Sequence, residues 1–461
     1  MAEPEPWRAQ GLPPGPYLDA GAWQMCEREQ YRSLRAFGQR YGPVFTVHAE
    51  GRPPRVYIAV PEVIEDIFVR HHRDLVGLGP SMFEPLVTSR SVAFLNGEPH
   101  RLARRVLAHA LDTQDQDGRA RAIARVVRRE TGRLAVGEAV PLEVFANDVT
   151  RSVILAVLFG FLPATLHEDL LGATDRAMAF LHERQTAAPE ACPGRAAAAS
   201  AAFTRTHREL DRVLLRETRR HRQYGPVGEC VVDRLIGSSA GDGGLSDPDI
   251  AMHLKTLLVS GHETTSASLA WALFHLARHP GVLEALRQEI GTGEAGNEPP
   301  DWSRLPQLGA FVSEVLRHSS PVPNGGARKV VRQFDAHGVS FPPGTEVVPA
   351  IHLVHHREAA FPSAEVFDPQ RFHQRGYRNS EYLPFGIGPR YCLGAALALQ
   401  ELRIAVAVVI QQPDLRVEAP SGEISPVSMG PTVRVPATVT LHRSAPHPQT
   451  KATGTGQWPR L

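Results

Sequence analysis

Cys392 stands in the stretch Phe385-Gly386-Ile387-Gly388-Pro389-Arg390-Tyr391-Cys392-Leu393-Gly394, which also holds three glycines, a proline and an arginine. An apolar run from Ala395 to Ile410 follows directly. This order reads as a tight loop feeding a helix, with the thiol at the junction. Exposed N–H groups and the positive dipole end at a helix N-terminus favour a thiolate, and Arg390 adds positive charge. The glycines remove bulk and permit positive φ, so backbone N–H groups can approach the sulfur. The chemistry implied is thiolate ligation of something flat and bulky. The plainer alternative is an ordinary buried cysteine.

A second group breaks local rules. Ser260-Gly261-His262-Glu263-Thr264-Thr265 interrupts an apolar helical run that ends near Arg278. In a buried helix Gly costs about 1 kcal/mol against Ala, Glu is costly unless partnered, and Thr bonds back to carbonyls. Such failures often mark function. Gly261 would let a ligand approach the backbone, while Glu263 and Thr264 pair an acid with an alcohol that can orient water and pass protons. The alternative is a kinked helix with a satisfied Glu. His100 and Arg104 are four apart and share a helical face able to grip carboxylates; with Arg101 and Arg105 beside them, a solvated basic face is the alternative. Glu314 and Arg317 are an i, i+3 pair.

The elements that must position these groups are mostly helical. Trp23 to Tyr41, a segment opened by Pro61, a segment opened by Gly97, residues 119–182, about 200–222, and Ser246 to Arg278 all carry helical patterns. Ser246 and Asp249 form a capping pattern for the long central helix, which His279-Pro280-Gly281 stops. Val44 to Val47 and Arg55 to Val60 read as a hairpin, and residues 330–335 and 339–350 as strands. Residues 76–96 read as a loop. The Ala-rich residues 184–202 read as a loop leading into a helix, and Gly237 to Gly244 as a flexible connector. Residues 1–20 are Pro-rich and extended, and 444–461 a disordered tail; 1–443 is expected to be one catalytic domain.

The 461 residues are 42% hydrophobic with net charge +1, enough for a large core and no electrostatic case for nucleic acid. Cys26, Cys192, Cys230 and Cys392 form no C-x-x-C pair, which argues against a zinc site or disulfide framework and suits a reducing compartment. The N-terminal residues lack the apolar core of a signal peptide or anchor. A cytoplasmic chain without a membrane anchor is expected.

Phe385, Gly388, Arg390, Cys392 and Gly394 match the F-x-x-G-x-R-x-C-x-G signature at every fixed position, and on these residues the chain resembles the cytochrome P-450 superfamily, in its soluble bacterial form. Ser260 to Thr265 resembles the family's [AG]-G-x-[DE]-T-[TS] element, with Ser260 a departure at the first position. Glu314-x-x-Arg317 and the Phe367 to Phe372 segment match two further elements. Ser320 stands where a second proline is frequent.

The resemblance implies a mainly α fold with small β-sheets: a triangular prism of about a dozen helices, with haem between the long central helix and the Cys-loop helix. Cys392 would be the iron ligand of haem b. His100, Arg104, Arg328 and Arg390 would hold the propionates, and Phe385, Gly386, Gly394 and Gly261 would complete the cofactor site. Thr264 would hold water and Glu263 relay protons, while Glu314, Arg317 and Arg371 would form a buried network bracing the thiol side. The implied reaction inserts one atom of O2 into a small molecule. NAD(P)H would supply electrons indirectly, through a ferredoxin or flavodoxin reading a basic face near Arg390. The partner would dock on a monomer. Met82, Phe83, Leu86, Val87, Val259, Val322 and Met429 are the substrate candidates, and their apolar character points to a terpene, fatty acid, steroid or polyketide. Rival readings are a haem-thiolate isomerase or dehydratase that does not use O2, a non-catalytic gas sensor, and a haem-free helical protein.

Overall fold

The computed structural model describes residues 11–79, 87, 89–112, 115–160, 164–186, 193–226, 230–238, 245–291, 302–412, 414–418, 427–429, 432–434 and 440–443. At 164–165, 180–186, 193–203, 427–429 and 432–434 the description covers the backbone alone.

The N-terminal part is a small sheet with flanking helices. It comprises β1 (Tyr17–Leu18), α1 (Ala20–Arg28), α2 (Gln30–Tyr41), β2 (Val44–Ala49), β3 (Arg55–Ile58), α3 (Pro61–Glu65) and β4 (Leu75–Gly77). Glu29, at φ −110° and ψ 46°, divides the predicted first helix into two. β2 and β3 pair antiparallel with Val44 opposite Ile58, the expected hairpin. A single π turn over Asp66–Arg70 extends α3, carrying Ile67 and Phe68 into the core.

The helical part runs α4 (Gly97–Leu111), α5 (Gln116–Arg133), β5 (Ala139–Pro141), α6 (Leu142–Phe159), α7 (Ala164–Thr186), α8 (Pro193–Tyr224), α9 (Val231–Gly237), α10 (Asp247–Arg278), α11 (Pro280–Ile290) and α12 (Pro306–His318). α8 starts earlier than the sequence suggested and takes in the Ala run at 196–202. Ala is the strongest helix former, and Pro193 suits a first helical position. α10 has the full Ser246–Asp249 capping box. It is buried around most of its circumference, as a helix apolar on all sides must be.

The last third comprises β6 (Arg328–Val330), β7 (Phe334–Ala336), β8 (Val339–Phe341), β9 (Glu346–Pro349), α13 (Ile351–His355), α14 (Arg371–Gln374), α15 (Ala395–Ile410), β10 (Leu415–Glu418), β11 (Val427–Met429), β12 (Thr432–Arg434) and β13 (Thr440–Arg443). The main sheet has the order β1-β2-β3-β9-β6-β4, and the others are β10-β13-β5, β11-β12 and β7-β8. One apolar core joins α4–α6 and α10 to α12 and α15; a second underlies the main sheet. The predicted tail after 443 lies outside the described residues. Among the described residues no helix is long and apolar enough to cross a membrane.

Candidate active site

The Cys392 loop is closed by backbone bonds. The Cys392 N–H donates to the Phe385 carbonyl at 2.9 Å, and a 3-10 turn spans Gly388–Arg390. Gly388 has φ +72°, and a Cβ there would lie 2.3 Å from the Phe68 carbonyl oxygen. Only glycine lets the loop dock on the π turn this closely. α15 begins three residues after the thiol, at Ala395.

Two expectations about the thiol are corrected. Burial pushes its pKa up, opposed by a Gly394 backbone hydrogen bond and by Arg104. A bound cation would reverse this direction, since a coordinating thiol is deprotonated outright. The nearby charge is also Arg104 rather than Arg390. The Arg390 guanidinium donates to the carbonyls of Ala93 at 3.1 Å and of Leu95, and to Asn96 Oδ1 at 2.6 Å. Gly77 makes room for it: a Cβ there would lie 2.4 Å from the guanidinium. Half-buried and so engaged, Arg390 does not present a basic outer face to a partner.

Cys392 opens onto a cavity of about 410 Å³ between the α10 residues Thr256 to Ser268 and the loop from Pro384 to Gly394. His100 and Arg104 of α4, Arg328 of β6 and Arg390 line the same cavity. Burial lowers the Arg328 pKa to about 9, with Arg390 adding repulsion. Burial and three neighbouring guanidiniums hold His100 down at about 4, so it serves as a neutral hydrogen-bonding group. Among the described residues no carboxylate pairs with any of these four. Like charges are gathered at a desolvated wall without a counter-charge, which is costly and suits a dianionic ligand. A thiol, an apolar slot and this cationic edge together fit haem.

On the opposite wall, Thr256, Leu257, Ser260, Gly261, Thr264, Thr265 and Ser268 face the cavity. Their spacing of three and four is one face of a helix. The Thr264 hydroxyl donates to the Ser260 carbonyl at 3.1 Å. Glu263 is 1% exposed and does not line the cavity, being about 100° around the helix from Thr264. Gly261 also serves packing: a Cβ there would lie 3.1 Å from Ile154 Cδ1 of α6.

Behind the thiol wall, Arg317 forms a two-point pair with Glu314, Nε to Oε2 and Nη2 to Oε1 at 2.7 Å each. Arg371 Nε reaches Glu314 Oε1 at 3.2 Å. The remaining guanidinium donors reach the carbonyls of His355, Pro362, Ala364 and Val366. His355 then accepts the Leu383 N–H at 3.0 Å, linking the network to the start of the Cys392 loop.

Of the substrate candidates, Val322 lines the cavity. Val259 does not; it packs into the helical core, off the Leu257–Gly261–Thr264 face by the helical period. Val87 is buried and does not line it either. Met82, Phe83, Leu86 and the Met429 side chain lie outside the described residues. The structure adds Ile154, Leu257 and Glu401. Ile154 carries no sequence signal, because its role comes from α6 crossing α10. Glu401 does: it is an acid inside the apolar α15, fully buried, with its pKa held well above the carboxylate range by desolvation.

The family model described as Cytochrome P450 matches residues 10–438. Putative cytochrome P450 135B1 of Mycobacterium tuberculosis is 29% identical over 421 residues, covering 90% of this chain and 87% of the relative. Putative cytochrome P450 138 of the same organism is 30% identical over 423 residues, covering 90% and 92%. Among solved structures, retinoic acid-bound cyanobacterial CYP120A1 is similar with a TM-score of 0.80 at 22% identity, covering 94% of this chain and 99% of that one.

Proposed function

The chain belongs to the cytochrome P450 family of haem-thiolate monooxygenases, and on that premise we propose that it inserts one atom of O2 into a lipophilic small molecule by hydroxylation or epoxidation. The observation that carries this reading is the set of basic groups, none paired with a carboxylate among the described residues, on the same cavity as Cys392. Haem b would be held by the Cys392 sulfur, with its two carboxylates met by Arg104, Arg328 and Arg390 and by a hydrogen bond from His100. When bound, haem with a thiolate ligand supplies the oxygen chemistry, because the thiolate pushes electron density that favours O–O cleavage.

The chain's own residues do the rest. Thr264 turns its hydroxyl from the Ser260 carbonyl to hold water in the cavity. Glu263, the next residue, takes up and returns protons from its buried position. Ile154, Leu257 and Val322 exclude bulk water and orient an apolar substrate, with a terpene, fatty acid, steroid or polyketide as the class. The retinoic acid in a structural relative is consistent with such a slot. Electrons would come from NAD(P)H through a ferredoxin or flavodoxin. We place this activity in one catalytic domain, residues 1–443, working as a cytoplasmic monomer.

The test has two arms. A reduced-plus-CO difference spectrum is expected to give the thiolate-type band; its absence would end the haem-thiolate reading. Turnover with a surrogate reductase and NADPH over a lipophilic library, in 18O2, is expected to label product. Unlabelled rearranged or dehydrated product would favour the isomerase or dehydratase reading. CO binding with no product across the library would favour a sensor.

A further inference from the structure

Outside the lining of the Cys392 cavity, the corner between α8 and α9 brings three metal-ligating groups together. His221 lies in the last turn of α8, Cys230 is the N-cap of α9, and Asp233 lies in its first turn. His221 Nδ1 is 2.7 Å from Asp233 Oδ1, and Cys230 Sγ is 2.9 Å from Asp233 Oδ2. One ligand atom from each lies within 4.8 Å of the others. The imidazole and the cysteine are 1% and 3% exposed. We propose that His221, Cys230 and Asp233 bind a thiophilic divalent cation, Zn2+, which ties the end of α8 to the start of α9.

The chemistry follows from what now fills the centre. A thiol proton and an imidazole proton both point at one carboxylate. A zinc ion takes the place of both: the thiol proton leaves to solvent, and the imidazole shifts its proton to Nε2. Thiolate and carboxylate then neutralise the dication, so no net charge is buried. Tetrahedral zinc with bonds of about 2.0–2.3 Å sets its ligands roughly 3.3–3.6 Å apart. The two contacts to Asp233 are shorter than this and all three ligand atoms lie within 4.8 Å of one another, so small side-chain shifts bring them to tetrahedral spacing. Water takes the fourth position.

The surroundings allow this. Arg220 Nη2 lies 3.3 Å from His221 Nε2, and its Nε already pairs with the buried Glu217 at 2.8 Å. Arg220 is a quarter exposed, so its guanidinium can turn toward solvent when Nε2 becomes a donor. Cysteine spacing argues against zinc because it looks for paired cysteines. Here the ligands are of three kinds and come from two helices.

The experiment uses the haem-loaded protein, dialysed against micromolar ZnCl2 and then against metal-free buffer. About one zinc per chain should be retained, measured by elemental analysis against protein. The zinc-edge absorption spectrum should show one sulfur near 2.3 Å with nitrogen or oxygen neighbours. Cys230→Ser, which keeps a hydroxyl bond to Asp233, should cut retained zinc at least tenfold while leaving the thiolate-type CO spectrum unchanged. Added zinc should raise the unfolding midpoint of the parent and not of the variant. If Cys230→Ser folds poorly, Asp233→Asn is expected to lose zinc in the same way. Failure of the parent to retain zinc, a shell without sulfur, or full retention by a folded Cys230→Ser or Asp233→Asn protein would overturn the proposal.

Discussion

The two walls of the Cys392 cavity are built differently. The thiol wall rests on Glu314, Arg317 and Arg371, which are 0%, 0% and 5% exposed, with their charged groups bonded to one another and to backbone carbonyls. The α10 wall presents small hydroxyls and a glycine, and Thr264 holds itself by a bond to its own helix. A saturated buried network has one low-energy arrangement and resists change. A hydroxyl bonded to a carbonyl within its helix can exchange that partner for water at little cost. The first wall therefore suits holding a cofactor in place, the second handling water and a variable substrate.

Substitutions can break this contrast. Cys392→Ala should abolish the thiolate-type CO band and all turnover; survival of that band would remove Cys392 as the ligand. Glu314→Ala leaves two buried guanidiniums without their acid and should cost about 3–5 kcal/mol, read as a lower denaturation midpoint with haem loss. A cost below about 1 kcal/mol would show that the network is not what stiffens this wall. Thr264→Ala should lower product formation by roughly 10²-fold with the CO spectrum and unfolding midpoint unchanged. A fall in midpoint matching that of Glu314→Ala would erase the distinction between the walls. Arg328→Ala should weaken haem retention by about tenfold to a hundredfold, the worth of one charge-assisted hydrogen bond, measured by haem transfer to an acceptor globin.

Acid acts on several residues at once. His275, His318, His352, His355 and His356 lie around the thiol-side network, and burial lowers the pKa of each, to about 4 for His318 and about 3 for His355. Their folded values lie below the unfolded value near 6.5, so the unfolded state binds more protons once the pH falls below about 6.5. Stability from this source is full above that pH and is lost progressively as the pH drops toward 4. His355→Gln should flatten the acid limb of the stability curve; an unchanged slope would place the acid sensitivity elsewhere.

Much of this was legible in the chain. The Cys392 loop and the helix after it are local: glycine, proline and an apolar run specify a turn and a helix without reference to distant residues. The cap and end of α10 are local too, and the interruption at Ser260 to Thr265 is visible because buried helices seldom carry such residues. Glu401 leaves the same kind of mark, a lone acid in an apolar helix, without a second anomaly beside it. The Ala run of α8 is low in complexity like a loop, but its helix propensity prevails.

What sequence could not supply was direction. It identified Arg390 as a positive charge beside Cys392, but tertiary structure turned that guanidinium to the carbonyls near Asn96 and put Arg104 in its place. It placed Val259 on the helix that walls the cavity, and the rotation of that helix against α6 sent Val259 into the core and brought Ile154 to the cavity. His221, Cys230 and Asp233 became neighbours only because α8 and α9 meet at a corner. Residue types and short-range spacing determine which groups are available and which segments are helices. Which groups face one another is set by helix rotation and crossing, a sum of many packing contacts between residues far apart in the chain.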